Sequence, residues 1–220
     1  MSIKIVDDVV SQFAPVRDQG RRPTCAAFAV SDLHASARSK VWAPLSAEYI
    51  FYHACLRCPR FDPNSGVTLN GILEAAEKDG QPEECEWPYI QRLPRDLGSY
   101  KPPSVTSAIY RKVGERLGSS VDKIATEIAS GQAVMVVFTS TLEFVKAQRG
   151  TPVEYLAGDP VLRPHAVIAV TVGDQNGQRC VKVRNSWGNG WADHGYAWLS
   201  EGYLNARLIA LVRMVREWAE

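Results

Sequence analysis

Gln19-Gly20-Arg21-Arg22-Pro23-Thr24-Cys25-Ala26-Ala27-Phe28 places one cysteine six positions after a glutamine (25 − 19) and at the mouth of an apolar helical run. Thr24 is a residue type that caps helices, and Ala26-Ala27-Phe28-Ala29-Val30 begins one. Cys25 is therefore expected at a helix N-terminus, where the aligned peptide dipoles favour thiolate over thiol and lower its pKa. Taken alone, a cysteine beside alanines reads first as a small buried core residue. The rest of the chain separates the two readings.

His165 opens the apolar run Ala166-Val167-Ile168-Ala169-Val170, and Asn185-Ser186-Trp187-Gly188 follows a second strand-like run, Cys180-Val181-Lys182-Val183. A nucleophilic thiol needs a base to take its proton, and the base needs a third group to hold its tautomer. Cysteine, histidine and asparagine stand in that chain order, with 140 positions between Cys25 and His165 (165 − 25).

The blocks Val16-Arg17-Asp18-Gln19-Gly20, Cys25-Ala26-Ala27-Phe28-Ala29, Leu45-Ser46-Ala47-Glu48-Tyr49, Glu86-Trp87-Pro88-Tyr89, His165-Ala166-Val167 and Asn185-Ser186-Trp187-Gly188, then Trp191 and Gly195-Tyr196, span nearly the whole chain. In this order they resemble the papain-like cysteine peptidases. The resemblance implies an α+β, two-lobe fold with a helical N-terminal lobe, an antiparallel β-barrel-like C-terminal lobe and an active-site cleft between them. It implies Cys25 as nucleophile, His165 as general base and then acid, Asn185 as the residue orienting His165, and Gln19 as a side-chain donor to the oxyanion. Trp187 is expected to shield the histidine–asparagine pair, and Trp191 and Tyr196 to be packing residues.

The departures from the family pattern carry expectations too. Secreted members hold a second cysteine and a glycine in the nucleophile's loop and a tryptophan after the nucleophile; Arg22, Pro23 and Ala26 stand in those places here. The loop disulfide is excluded by residue identity. Five cysteines, no apolar N-terminal segment and no apolar run of about 18 residues favour a cytoplasmic protein, or a signal-less one delivered into a reducing compartment. Only about 15 residues precede the Val16 block, so latency through a long propeptide is not expected. In these respects the chain resembles bacterial members more than lysosomal ones.

With 220 residues and 45% apolar content the chain can bury a sizeable core, as one compact domain or two small lobes. Its 25 basic and 24 acidic residues balance to +1, which calls for neither nucleic acid nor a membrane surface as partner. Helical periodicity covers Ala26–Lys40, Ser46–Leu56, Leu69–Lys78 and Val121–Ser130, and strand patterning covers Ala133–Phe138 and the runs at His165 and Val181. Breakers concentrate between Leu93 and Ser104, which is read as the inter-lobe crossing. One catalytic domain, 1–220, is thus expected to divide into a helical lobe over 1–104 carrying Cys25, a β-rich lobe over 105–204 carrying His165 and Asn185, and a segment 205–220 returning to the first lobe.

Asn64-Ser65-Gly66 resembles the glycine-bearing segment that pairs with extended substrate, with Ser65 in place of a glycine. Ser65, Gly66, Val67, Pro164 and Trp187 are the expected substrate-binding residues, and Val67, Thr68, Ala133 and Pro164 are read as lining one apolar specificity pocket. Peptide would bind by strand addition. Cys55, Cys58, Cys85 and His53 contain enough ligands for zinc, but their spacing follows no common zinc module, so neither a metal nor another cofactor is expected.

The leading reading is a thiol-dependent endopeptidase acting on a restricted set of peptide or protein substrates. An acyl transferase or isopeptidase uses the same triad. A catalytically silent binding protein on the same scaffold is the third reading, suggested by Pro23, Ala26 and Ala192.

Overall fold

The computed structural model describes residues 2–38 and 42–219, with the side chain of residue 216 left aside. It divides into two compact units: a sheet unit, made of residues up to Asp18 together with Arg116–Arg213, and a helical unit, made of Gln19–Glu115 together with residues from Met214 on. The chain passes between them after Asp18 and again within strands β2 (Tyr110–Leu117) and β7 (Leu208–Ala219). Among the described residues no helix is long and apolar enough to cross a membrane.

The helical unit contains α1 (Cys25–Ser36), α2 (Ala47–Leu56) and α3 (Leu69–Lys78). Helix α1 is buried from Ala27 to Ala35, including Ser31, Asp32 and His34. A helix buried on all sides must satisfy its polar side chains internally. Ser31 Oγ bonds the Leu45 carbonyl at 2.8 Å and Gln81 Oε1 at 2.8 Å, and Gln81 Nε2 lies 2.9 Å from His34 Nδ1. The Lys40 end of the expected helix lies outside the described residues.

Helix α2 begins where Ser46 accepts the Tyr49 N–H at 3.1 Å, and α3 where Thr68 accepts the Gly71 N–H at 3.0 Å; both are side-chain caps. Thr24 behaves differently. It holds the N-cap position of α1 but makes no side-chain cap bond, because its hydroxyl pairs with the Tyr89 hydroxyl at 2.8 Å. The tertiary partner displaces the local one.

The breaker-rich stretch 93–104 lies wholly within the helical unit. Tyr100 is only 2% exposed and forms a cluster with Tyr49 and Trp87, against which Leu93 and Val105 pack. Burial of a large aromatic ring holds this proline-rich segment, so the chain leaves the unit at Glu115, later than the breakers indicate.

The sheet unit is built on β1 (Lys4–Asp8), β3 (Val134–Thr141), β4 (Val161–Gln175), β5 (Gln178–Arg184) and β6 (Tyr196–Ser200), with helices α4 (Val121–Ala129), α5 (Leu142–Val145) and α6 (Glu201–Arg207). The antiparallel sheet follows the open path β2-β7-β3-β4-β5-β6, and β1 pairs with β4. Residues 165–173 of β4 are buried without interruption. A continuous apolar run suits a strand covered on both faces. Helix α4 packs on β4 and β1 through a face that buries Val121, Ile124 and Ile128, each contributing about 1.5–3 kcal/mol.

Candidate functional site

In the sheet unit, His165 is the first buried residue of β4, directly opposite Phe138 of β3. Asn185 follows the last residue of β5, and its backbone N–H bonds the Gly195 carbonyl at 3.0 Å. Gly195 has φ +88, and a Cβ there would stand 2.6 Å from the Val16 side chain, so this turn requires glycine.

His165 Nε2 and Asn185 Oδ1 are 2.8 Å apart, and the Ser186 backbone N–H donates to the same Oδ1 at 2.9 Å. A backbone donor identifies that atom as the amide oxygen, so His165 Nε2 must carry the hydrogen. In the neutral ring Nδ1 is then left with the lone pair and can act as a base.

Both residues are buried, at 6% and 3% exposure, inside an aromatic surround. The Trp187 ring lies 4.8 Å from the imidazole, centroid to centroid, Phe144 5.7 Å and Phe138 6.2 Å. Trp191 meets Trp187 edge-to-face at 5.2 Å and lies tilted against Phe144 at 5.1 Å, while its Nε1–H donates to the Val145 carbonyl at 3.1 Å. Rings on several sides lower the local dielectric and strengthen the histidine–asparagine bond. Tyr196 acts elsewhere in the unit. Its hydroxyl accepts from the buried Arg184 at 2.9 Å, and the same guanidinium bonds the Ala14 carbonyl at 2.8 Å and that of Pro15 at 2.9 Å.

In the helical unit Cys25 is the first residue of α1 and is half-buried. Gln19 is 6% exposed, its side-chain Nε2 donating to the Arg22 carbonyl at 2.7 Å and its own carbonyl accepting from the Tyr89 hydroxyl at 2.8 Å. Gly20 has φ +56, and a Cβ there would meet Gln91 Oε1 at 2.2 Å. Backbone of this kind accepts little but glycine.

Arg22 is only 7% exposed, and its guanidinium donates to Glu48 Oε2 and to the Ile90 carbonyl at 2.6 Å each, and to the Tyr100 hydroxyl at 3.3 Å. Glu48, fully buried, also accepts the Ile90 N–H at 2.9 Å and a short bond from the Tyr100 hydroxyl. Burial alone would lower the Arg22 pKa, but the Glu48 carboxylate outweighs it and raises the group above its ordinary value. Burial, reinforced by Glu48, pushes the Tyr100 phenol up.

Residues 5–212 match the papain family of cysteine proteases. The chain belongs to that family. Among its curated members, the oryzain gamma chain of Oryza sativa subsp. japonica is 26% identical over 193 residues, 86% of this chain and 52% of its own length. The chain spans about half the length of the curated papain-family relatives it matches. Xylellain, a cysteine protease from Xylella fastidiosa, superimposes with a TM-score of 0.77 at 22% identity, covering 98% of this chain and 92% of xylellain. Bromelain from Ananas comosus, in complex with the E64 inhibitor, gives 0.71 at 21% identity, covering 93% and 94%. The fold is the α+β, two-lobe papain-like fold.

The expected substrate-binding residues of this papain-family chain fall in both units. Ser65 and Gly66 are exposed on a turn in which Ser65 Oγ donates to Asp62 Oδ2 at 2.7 Å, and a Cβ built on Gly66 would stand 3.9 Å from the Pro23 carbonyl oxygen. Val67 is half-buried ahead of the Thr68 cap. Pro164 is exposed on β4, opposite Thr139. Ala133 does not share a pocket with it. Ala133 precedes the start of β3, and six residues separate it from Thr139 (139 − 133), about 20 Å along a strand.

None of the five cysteines, all among the described residues, is in a disulfide. Cys55 is buried, which pushes its thiol up to about 12, while Cys58 is half-buried and Cys85 exposed. Among the described residues no group of three or more histidine, cysteine, aspartate or glutamate side chains is gathered to hold a metal ion.

Sequence reasoning missed two parts of these surroundings. Phe144 sits in a four-residue helix too short to show a period. Arg22 is read from sequence only as an absent cysteine, and its partners Glu48, Ile90 and Tyr100 are 26, 68 and 78 positions away. An arginine flanked by proline, in a chain with a buried-looking Glu48 on an apolar helix, was the available signal.

Proposed function

We propose that this chain is a thiol-dependent endopeptidase in which Cys25 is the nucleophile, His165 the base and then acid, Asn185 the residue orienting it, and Gln19 an oxyanion donor. The observation that carries the reading is the His165–Asn185 bond at 2.8 Å, with the amide oriented by Ser186, in a member of the papain family. The position of Cys25 at the first residue of α1 supports it, since backbone N–H groups at a helix start favour an anion.

His165 takes the Cys25 proton, and the thiolate attacks the peptide carbonyl carbon; a C–S bond forms and the carbonyl π pair moves to oxygen. Gln19 Nε2–H and the Cys25 backbone N–H receive that oxyanion, each donor contributing about 3 kcal/mol. The imidazolium then protonates the amine nitrogen as the C–N bond breaks, leaving a thioester. His165 next takes a proton from water, hydroxide adds to the thioester, and C–S cleavage releases the acid and returns the thiolate.

Ser65, Gly66 and Val67 of the helical unit, and Pro164 and Trp187 of the sheet unit, are proposed to contact the peptide. Exposed backbone at Ser65 and Gly66 supports pairing with an extended substrate.

Intact-mass analysis after brief treatment with an equimolar epoxysuccinyl peptide tests the reading. Single rapid labelling of the wild type, lost in Cys25→Ala and slowed in His165→Ala, is the expected result. Labelling that is absent, or indifferent to His165, would sink the peptidase and favour a silent binding scaffold.

A further inference from the structure

The loop from Gln19 to Thr24 belongs to no helix or strand; the Thr24 N–H bonds the Arg22 carbonyl at 2.9 Å, and side chains add to that hold. Two sets of bonds converge on one residue in it. The Arg22 carbonyl receives the Gln19 side-chain N–H at 2.7 Å, and the Arg22 guanidinium is gripped by Glu48, the Ile90 carbonyl and Tyr100. Three rings close around that guanidinium, with Tyr89 at 5.1 Å, Phe51 at 5.3 Å and Tyr100 at 5.8 Å from ring centroid to Arg22 Cζ.

Each partner comes from a firmly placed element. Glu48 is on buried α2, Tyr100 is in the aromatic cluster with Tyr49 and Trp87, and Ile90 contributes backbone groups to both ions. Charge-assisted hydrogen bonds are short and directional, so a guanidinium held at several points locates its own backbone as well. Moving the side chain of residue 22 moves its carbonyl, and with it the acceptor that orients the Gln19 carboxamide.

We infer that Arg22 is a positioning residue: through Glu48 and Tyr100 it pins the loop, and through its carbonyl it aims Gln19 at the developing oxyanion. This rests on the reading of Gln19 as an oxyanion donor. The staple is ionic and survives thiol reductants, in the place where the secreted relatives carry a cysteine. Oxyanion donors act on the transition state, so misaiming one lowers kcat and leaves KM nearly alone. It leaves alkylation of the thiol by iodoacetamide unaffected, because that displacement at carbon develops no carbonyl oxyanion.

The experiment compares wild type, Arg22→Lys, Tyr100→Phe, Gln19→Ala and the Arg22→Lys/Gln19→Ala double variant. Lysine keeps the counter-charge for Glu48 but lacks the fork that reaches Ile90 and Tyr100, so the fold is retained. Tyr100→Phe is the milder second probe. For a fluorogenic peptide amide, Arg22→Lys is expected to lose about tenfold or more in kcat with KM changed by less than about threefold. Alkylation of Cys25 by iodoacetamide should stay within about twofold of wild type, and the double variant within about twofold of Gln19→Ala, because the two residues act as one unit. Wild-type kcat in Arg22→Lys, fully multiplicative losses in the double variant, or an equal fall in alkylation would overturn the inference.

The Gln19 side-chain amide signal in 15N spectra separates this inference from the peptidase reading. A protected amide that becomes fast-exchanging in Arg22→Lys supports the positioning role even if wild type cleaves no peptide. An amide unaltered by Arg22→Lys in an active enzyme overturns the positioning role and keeps the peptidase.

Discussion

Around Arg22 the helical unit places a full positive and a full negative charge out of water and joins them with hydrogen bonds at 2.6 to 3.3 Å. Around His165 the sheet unit buries one side-chain hydrogen bond of 2.8 Å between His165 and Asn185 and lines it with Phe138, Phe144 and Trp187, backed by Trp191. Charged bonds are directional, and they fix where a backbone lies in a loop that has no ladder of its own. Rings are weakly directional, but they exclude water, which keeps a histidine's partner and tautomer unchanged. The two regions solve different problems: one fixes the path of a loop, the other keeps water from a side-chain hydrogen bond.

The comparison can be strained most by breaking the ion pair on one side. Arg22→Ala leaves the Glu48 carboxylate buried without its counter-charge, and urea unfolding is expected to show a loss of about 3–5 kcal/mol. Replacing both ends, Arg22→Met with Glu48→Met, should recover much of that loss. A double variant as unstable as the single one would mean that the charges do not act as a pair.

Asn185→Ala should lower kcat/KM for a peptide substrate by about two orders of magnitude, near 2.7 kcal/mol, more than the about 1–2 kcal/mol of urea stability lost when the buried His165 Nε2–H and Ser186 N–H lose their acceptor. Equal falls in stability and activity would shift Asn185 from orienting the base to holding the fold. Phe144→Leu should cost about 1–1.5 kcal/mol of stability through lost ring contacts, with no dependence on salt. A marked salt dependence there would undo the contrast between rings and charges.

The smallest effect concerns pH. Burial holds His34 below its ordinary value of 6.5, and Gln81 Nε2 donating to its Nδ1 leaves Nε2–H to donate to Glu217 at 2.8 Å. Burial would raise Glu217, but the His34 bond outweighs it, and Lys112 at 3.8 Å and Arg38 at 3.9 Å add to the lowering. Both depressed values act in one direction. As pH falls through 6.5 the unfolded chain protonates its histidine before the folded one does. Below the ordinary carboxylate value of 4.5 the unfolded chain likewise takes up the Glu217 proton first. The urea midpoint should fall from pH 7 to 5, a drop flattened by His34→Gln, and fall further in acid, a drop flattened by Glu217→Gln. A midpoint rising on acidification would reverse the assigned protonation.

Legibility in the sequence followed the range of the interaction. Helix α3 is observed over the span its periodicity predicts, Leu69–Lys78, because a cap and an amphipathic face are local properties. Strand β4 showed itself as an apolar run because burial on both faces leaves a compositional trace. Thr24 misled in its detail, since a hydroxyl free to cap in an isolated peptide met Tyr89 instead. Ala133 misled as a pocket residue because register, which sequence does not state, set it at the far end of β3 from Pro164. Strands β1, β2 and β6 left too short or too mixed a pattern to be read in advance.

The sequence by itself determined the family and nominated Cys25, His165, Asn185 and Gln19 for its chemistry, because each sits in a short block whose residue types are their own signal. It determined too that no disulfide could close the loop before Cys25, since Arg22 and Pro23 occupy it. Only the tertiary structure decided what holds those residues: that Arg22 is ion-paired and buried, that Phe144 lies against His165, and that Tyr89 takes the hydroxyl of Thr24. The physical reason is that a charge, a ring or a hydroxyl has many possible partners along a chain, and burial leaves only those that satisfy it without water.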